Sequence, residues 1–154
     1  MDLNLTTPKI ETRLAMFNLA LDYYGLVEIP GVENNQQILN FFHDIGHTWV
    51  PDDELSWCSA FINWLAWKLN IEKSGALDAR SWLKVGKEIK DPQRGHLAVY
   101  WRSHPDSWKG HVGLVTRVDL DTIWTLGGNQ NNMVKISPYS RSRLLSYIEL
   151  PYLT

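Results

Sequence analysis

The chain has 154 residues, and 44% of them are hydrophobic, which predicts one domain over residues 1–154 with a single core. Fifteen basic and 17 acidic side chains give a net charge of −2 without any basic block, which argues against a nucleic-acid partner. A single cysteine excludes an intrachain disulfide. No apolar run approaches the about 20 residues of a membrane-spanning helix, so we expect no membrane insertion.

The first half of the sequence is predicted to be helical, because apolar residues recur at helical spacing between capping and terminating residues. Threonine before proline is typical of a helix start, and paired asparagines can cap one. The four predicted helices begin at Thr7-Pro8, at Asn34-Asn35, near Trp57 and near Ala76, and end at Gly25, at Gly46, near Leu69 and near Leu83.

The second half of the sequence is predicted to form strands, because short apolar or alternating runs lie between turn residues. The predicted strands cover residues 97–101, 111–118, 122–126, 134–136 and 144–150. Helices followed by an antiparallel sheet indicate an α+β domain, with the N-terminal helices packed on the C-terminal sheet.

Cys58 is the candidate nucleophile because of its position in the chain. It falls in the first turn of the third predicted helix, just after Ser56 as the expected cap. Unpaired backbone amides and the helix dipole favour a thiolate there, and a neighbouring imidazolium would lower the thiol pKa further. The alternative is a buried cysteine that packs as a small hydrophobic side chain.

His111 is the best candidate base among five histidines, because it opens a run that reads as a strand and is flanked by Gly110 and Gly113. Asn129 is predicted to orient the imidazole by accepting the proton on its far nitrogen. Gln130 stays open as the residue in that role. The simpler explanation of Gly127-Gly128-Asn129 is a turn at the end of a strand.

The sequence around Cys58, His111 and Asn129 resembles the NlpC-like and CHAP (cysteine, histidine-dependent amidohydrolase/peptidase) group of cell-wall hydrolases. Within that group it resembles a small bacterial and phage-associated subfamily. The matching stretches run in order through nearly the whole chain. They are Tyr24-Gly25, Glu28-Ile29-Pro30-Gly31, Asn34-Asn35 with Ile38, Asp52-Asp53-Glu54, Trp57-Cys58-Ser59-Ala60-Phe61, Ser81-Trp82-Leu83 with Gly86, Pro92 with Gly95, Gly110-His111-Val112-Gly113 and Leu126-Gly127-Gly128-Asn129-Gln130.

The resemblance implies a papain-like α+β fold, with Cys58 as nucleophile, His111 as base and a third polar residue on the following strand. Papain-like enzymes also use the order Cys, His, Asn. The sequence departs from the group at His96, where many members have an acidic residue after the glycine that we place at Gly95. Many members also have an acidic third residue, where we assign Asn129.

Several residues are predicted to bind the substrate. The acidic run that includes Asp52 and Asp53 could hold the amine of a diaminopimelate or lysine side chain, although a solvated loop explains it equally well. Tryptophans are used both in cores and where sugars stack, and Trp49, Trp101 and Trp108 are further candidates for a glycan groove. No cofactor or metal is expected. The predicted substrate-binding residues are Trp57, Asp52, Asp53, Trp82 and Gln130.

The resemblance implies a hydrolase that cleaves an amide bond in peptidoglycan through a thioester, with endopeptidase action favoured over amidase action. A non-catalytic glycan- or peptidoglycan-binding module and a thioester-based acyl transferase are the alternatives. The start of the sequence has no basic region followed by an apolar core, so we expect synthesis in the cytoplasm without a signal peptide. A phage lysin would be released by lysis, whereas an antibacterial effector would use a dedicated secretion system and require an immunity protein.

Overall fold

A computed structural model of the chain describes residues 3–29, 34–50 and 56–152, with residues 3–8 described by their backbone. The helices are α1 (Leu3–Leu21), α2 (Gln36–His43) and α3 (Cys58–Lys68), followed by the 3-10 helix η1 (Ala79–Lys84). The sequence places the start of the first helix at Thr7-Pro8, and α1 instead begins four residues earlier. In the part of the chain that the structure describes, no helix is long and apolar enough to cross a membrane.

The short helix α2 owes its start to Asn35, as the sequence predicts. The Asn35 side chain accepts a hydrogen bond from the backbone N–H of Gln37 at 3.0 Å, which satisfies one of the amides that a helix leaves unpaired at its N-terminus. The fourth predicted helix forms as the tighter η1, which is common in short connecting segments.

Six strands form one sheet. They are β1 (Lys87–Ile89), β2 (Leu97–Trp101), β3 (Gly110–Val118), β4 (Thr122–Gln130), β5 (Met133–Ser140) and β6 (Leu144–Glu149), and a short 3-10 turn, η2 (Arg141–Arg143), precedes β6. Their order is β1-β6-β2-β3-β4-β5, and every neighbouring pair is antiparallel. The architecture confirms the α+β class. The sequence analysis missed β1, which has only three residues.

The main core lies between the helices and one face of this sheet. It combines aromatic side chains from α2 and α3 with alternate residues of β2, β3 and β4, including Phe41, Phe61, Val99, Leu114 and Leu126. A smaller cluster covers the other face and contains Ala98, Tyr100, Val115, Ile123 and Tyr147. Because side chains alternate along a strand, His111 lies on the face of this smaller cluster, two positions from Gly113 and four from Val115.

The end of β4 carries an irregularity that matters for the site. Strand β4 continues four residues beyond the predicted end at Leu126, to Gln130. Its register with β5 shifts between Gly127 and Gln130, and Asn129 has a positive φ of 57° inside this bulge. A bulge inserts one extra residue into a strand, so the side chains after it are displaced by one position in the alternation.

Candidate active site

Cys58 is the first residue of α3 and only 2% of it is exposed. The backbone N–H groups of Val112 and Ser59 and the hydroxyl of Ser56 make hydrogen bonds that favour its thiolate, as does the charge of Arg102. Burial outweighs these contributions and raises the thiol pKa above its usual range. Ser56 is not the helix cap that the sequence suggests, because Trp57 occupies that position without a side-chain capping bond.

His111 is held on β3 by a hydrogen bond and by aromatic stacking. Its Nε2 lies 2.9 Å from Oε1 of Gln130. The ring of Tyr139 stacks on the imidazole at a centroid distance of 4.9 Å and an angle of 14°. Tyr100 stacks in turn on Tyr139, with centroids 4.7 Å apart. The imidazole is therefore fixed in position and orientation by side chains of β2, β4 and β5.

The amide of Gln130 has one consistent orientation. Its Nε2 donates to the backbone oxygen of Thr125 at 3.0 Å and to that of Lys135 at 2.7 Å. Both amide hydrogens are used by these carbonyls, so Oε1 is the atom that faces His111, where it accepts a hydrogen bond. The proton of neutral His111 must then lie on Nε2.

This tautomer leaves the lone pair of His111 on Nδ1, the nitrogen that can act as a base. Within the described residues Nδ1 has no hydrogen-bond partner although it is buried. Burial lowers the pKa of His111 to about 4, the hydrogen bond to Gln130 acts in the opposite direction, and the charge of Arg102 lowers the pKa further. The imidazole is therefore neutral at pH 7 and able to accept a proton.

Three relationships indicate that Cys58 lies near His111, although among the described residues no hydrogen bond joins the thiol to Nδ1. The thiol is hydrogen-bonded by the backbone of Val112, the residue that follows His111 on β3. The charge of Arg102 acts on both side chains. Tyr139, which stacks on the imidazole, is also within range of a charge on Cys58. The raised thiol pKa and lowered imidazole pKa favour a neutral pair, in contrast to the thiolate and imidazolium that the sequence analysis expects in the free protein.

Asn129 does not occupy the position predicted for it. Its Nδ2 instead donates to the hydroxyl of Ser56 at 3.2 Å. The bulge is the physical reason, because in a regularly alternating β4 the residues on the face of His111 would be Thr125, Gly127 and Asn129. The extra residue brings Gln130 to that face, so the contact with His111 belongs to the alternative candidate.

Gly127 makes room for the Gln130 side chain. A Cβ at Gly127 would lie 2.6 Å from Oε1 of Gln130, whereas one at Gly113 would lie 3.6 Å from the same atom, which is an ordinary contact. Real Cβ atoms do not approach as closely as the first distance. The absence of a side chain at Gly127 therefore keeps open the slot through which the amide reaches the imidazole.

The structure contradicts two of the predicted substrate-binding residues. Trp57 and Trp82 are fully buried, and their indole N–H groups donate to Glu28 at 2.7 Å and to Ser59 at 3.0 Å. Both are core residues, and each has the internal hydrogen-bond acceptor that a buried indole N–H needs. Asp52 and Asp53 lie outside the described residues.

A cleft of about 280 Å³ opens directly beside Cys58. Residues 77–79 ahead of and at the start of η1 contribute to its lining, and Arg102, Trp108 and Lys109 contribute from the loop between β2 and β3.

Of the five tryptophans considered for a glycan groove, Trp108 is the one that lines this cleft, and 73% of it is exposed. Trp49 is exposed elsewhere, and Trp101 packs under the guanidinium of Arg143.

A buried polar network attaches the segment before η1 to α3. The Asn63 side chain accepts from the backbone of Gly75 at 2.8 Å and donates to the carbonyl of Ala76 at 3.0 Å. Ser59 donates to the same carbonyl at 2.7 Å. These bonds hold the cleft-lining residues 77–79 next to the helix that begins with Cys58.

His96 lies at the opposite end of β2 from the cleft. It is buried, and its Nδ1 accepts a hydrogen bond from the backbone N–H of Gln93 at 2.8 Å. Burial lowers its pKa to about 4, and the charge of Arg13 contributes in the same direction. His96, which stands where related sequences have an acidic residue, therefore lies away from the residues around Cys58.

Among the described residues no three His, Cys, Asp or Glu side chains are grouped so that they could hold a metal ion.

Comparisons with known proteins identify the family and the fold. Residues 45–129, more than half of the chain, match the family model of the CHAP domain. A crystal structure from Staphylococcus aureus subsp. aureus Mu50, described as similar to a lipoprotein of the NLP/P60 family, superposes with a TM-score of 0.50 and 17% identity. The match covers 90% of this chain but 41% of that protein, and at this identity it shows a shared papain-like fold. Curated proteins give no match. The chain therefore belongs to the CHAP family of cell-wall hydrolases.

Proposed function

We propose that the protein is a cysteine hydrolase that cleaves an amide bond in the peptide stem or cross-link of peptidoglycan, with endopeptidase action favoured over amidase action. The hydrogen bond between His111 and Gln130 is the observation that carries the proposal. It leaves Nδ1 free to accept a proton, and the thiol of Cys58 lies near it at the start of α3; nucleophilic catalysis by cysteine needs such a base close to its thiol.

The reaction begins with a neutral thiol and a neutral imidazole. Nδ1 of His111 takes the proton of Cys58 as the sulfur attacks the amide carbonyl. The resulting imidazolium gives this proton to the leaving amine, the C–N bond breaks and a thioester remains on Cys58. His111 then removes a proton from water, which attacks the thioester and releases the carboxylic acid and the free thiol.

Two features of the chain favour the charged species of this reaction. The imidazolium forms while Nε2–H is already bonded to the oxygen of Gln130, and its ring lies against Tyr139. The negative oxygen of the tetrahedral intermediate would form near the first backbone amides of α3, which have no intrahelical acceptor. The backbone N–H of Cys58 is one donor of this set.

Digestion of purified peptidoglycan tests the proposal and identifies the bond. Wild-type protein and Cys58→Ala are incubated with the same material, and the products are analysed by mass spectrometry. Shortened stems or opened cross-links that appear with the wild type alone support the endopeptidase. Glycan strands stripped of intact stems would indicate an amidase. An acyl transferase would join the acyl fragment to an added amine, and a binding module would retain peptidoglycan without any product.

The route to the cell wall is a separate proposal. We propose release by lysis, as for a phage lysin, or export through a dedicated secretion system, as for an antibacterial effector. The second route requires an immunity protein in the producing cell. Co-expression with the products of neighbouring genes distinguishes them, because an immunity protein would form a complex with the purified chain and block its hydrolysis of peptidoglycan.

A further inference from the structure

We propose that Arg102 is a recognition residue that binds a carboxylate of the peptide stem in the cleft beside Cys58. The inference rests on the proposed function for the identity of the substrate and adds the chemical group that the cleft selects. Arg102 follows β2 directly and lines the same cleft as Cys58.

Among the described residues that line the cleft, positive charges outnumber negative ones. Arg102 and Lys109 contribute two cations from the loop between β2 and β3, and Asp78 contributes one carboxylate from the segment before η1. A cleft of about 280 Å³ with this charge is suited to a short anionic segment. Lys109 lies near the ring of Trp108, with its ammonium 6.0 Å from the centroid, so the aromatic surface and the charges adjoin.

The guanidinium of Arg102 is available for a ligand. Over the described residues it makes no ion pair, side-chain hydrogen bond or aromatic contact. The other arginine of this region, Arg80, is fully engaged: it donates to the carbonyls of Lys109 at 2.9 Å, Pro105 at 2.7 Å and His104 at 3.1 Å. Arg80 therefore fixes the loop, and Arg102 lies on this loop with its guanidinium free for a ligand.

The fixed loop makes Arg102 a recognition element with a defined position. Its backbone N–H donates to the carbonyl of Lys109 at 3.1 Å, so both ends of the loop are joined at the base of the cleft. Arg102 is close enough to the reacting groups for its charge to affect Cys58, His111 and Tyr139. A carboxylate bound there would belong to a residue at or next to the scissile amide.

A planar guanidinium can hold a carboxylate through two parallel hydrogen bonds, which a carboxamide cannot reproduce. Peptidoglycan stems offer three such groups: the α-carboxylate of the γ-linked glutamate, the side-chain carboxylate of a diamino acid such as diaminopimelate, and the terminal carboxylate of alanine. Each can be converted separately to the amide without a large change of shape. The comparison therefore isolates the charge that Arg102 recognises.

Binding to the Cys58→Ala protein tests the inference without turnover. One stem peptide and its three singly amidated forms are titrated by calorimetry. We expect one amidation to weaken binding about tenfold or more, and adding Arg102→Gln to remove most of this difference. Arg102→Lys should retain part of it. Arg117→Gln is the matched control, because Arg117 is an exposed arginine near the other end of β3 that pairs with Asp119.

Equal affinity for all four peptides, no measurable binding of any of them, or a preference that survives Arg102→Gln would each overturn the inference. Cleavage of the same four peptides by the wild type separates this result from the proposed function. If the protein prefers a carboxylate in binding but cleaves none of the peptides, the recognition role of Arg102 is supported and the proposed hydrolase activity is contradicted. Equal cleavage of all four peptides, unchanged in its ratios by Arg102→Gln, leaves the hydrolase and contradicts the recognition role.

Discussion

The hydrogen bond of 2.9 Å between Nε2 of His111 and Oε1 of Gln130 determines which nitrogen of the imidazole is free. Gln130 cannot turn its amide around without losing two hydrogen bonds to the carbonyls of Thr125 and Lys135. Because Gln130 accepts the proton of Nε2 on one side of the ring, Nδ1 on the other side is the nitrogen that can act as the base. This relationship gives distinct expectations for the side chains around the ring.

Gln130→Ala should lower kcat by about ten- to a thousandfold with a smaller effect on KM, since orientation of the base matters most in the transition state. Gln130→Glu should lower kcat less than Gln130→Ala does, because a carboxylate still accepts from Nε2. It should not restore the wild-type kcat, because a carboxylate cannot donate to the two carbonyls. Asn129→Ala is the comparison, and it should lower kcat less because Asn129 bonds to Ser56 and leaves the orientation of the imidazole to Gln130. Steady-state kinetics in which Asn129→Ala is crippled and Gln130→Ala is near wild type would reverse the assignment.

Tyr139 should act through its ring and not its hydroxyl. Tyr139→Phe keeps the stack on His111 and should retain most of the activity, whereas Tyr139→Ala should lower kcat and expose the imidazole. Exposure reduces the penalty on the charged form, so the pKa of His111 should rise from about 4 toward its usual value of 6.5. Titration of the His111 ring signals by NMR measures this shift, and an unchanged pKa in Tyr139→Ala would contradict it.

The thiol of the free protein should react slowly near pH 6 and progressively faster above pH 8. Burial raises the pKa of Cys58, so the reactive thiolate forms only at alkaline pH. Arg102→Gln should move the profile to still higher pH because it removes a charge that favours the thiolate, and Arg117→Gln should leave it in place. Rates of iodoacetamide alkylation across this range provide the measurement. Fast alkylation at pH 6 would instead indicate the thiolate–imidazolium pair expected from the sequence.

The free energy of unfolding should rise with pH between about 4 and 6.5. Burial lowers the pKa of both His96 and His111 to about 4, below the usual 6.5, so the unfolded chain binds more protons in this interval. Their contribution is complete above 6.5 and is lost as the pH falls through 4. Urea unfolding at pH 4.5 and 7 tests this, and His96→Gln should flatten the difference. Equal stability at the two pH values would be inconsistent with two buried neutral histidines.

The positions of Cys58 and His111 were predictable from the sequence because each depends on a local signal. A helix start and a strand start are marked by the residues around them, and the α+β class follows from the order of the periodic segments. The choice between Asn129 and Gln130 was not predictable in the same way. It depends on a bulge whose register is set by pairing between β4 and β5.

Other parts of the site depend on contacts between distant segments. The sequence does not reveal that the indoles of Trp57 and Trp82 find internal acceptors on Glu28 and Ser59, and these acceptors make both tryptophans core residues. Arg102 carries no motif of its own. Its place beside Cys58 results from a loop that is held by three hydrogen bonds from Arg80.

Detection of the thioester tests the central claim most directly. Wild-type protein and Cys58→Ala are mixed with a soluble stem peptide, quenched in acid within the first turnover and analysed by intact-protein mass spectrometry. We expect the wild type to gain the mass of the acyl fragment, with the modification mapped to Cys58, and the variant to gain nothing and release no amine. Amine release by a folded Cys58→Ala protein at the wild-type rate would contradict catalysis through Cys58.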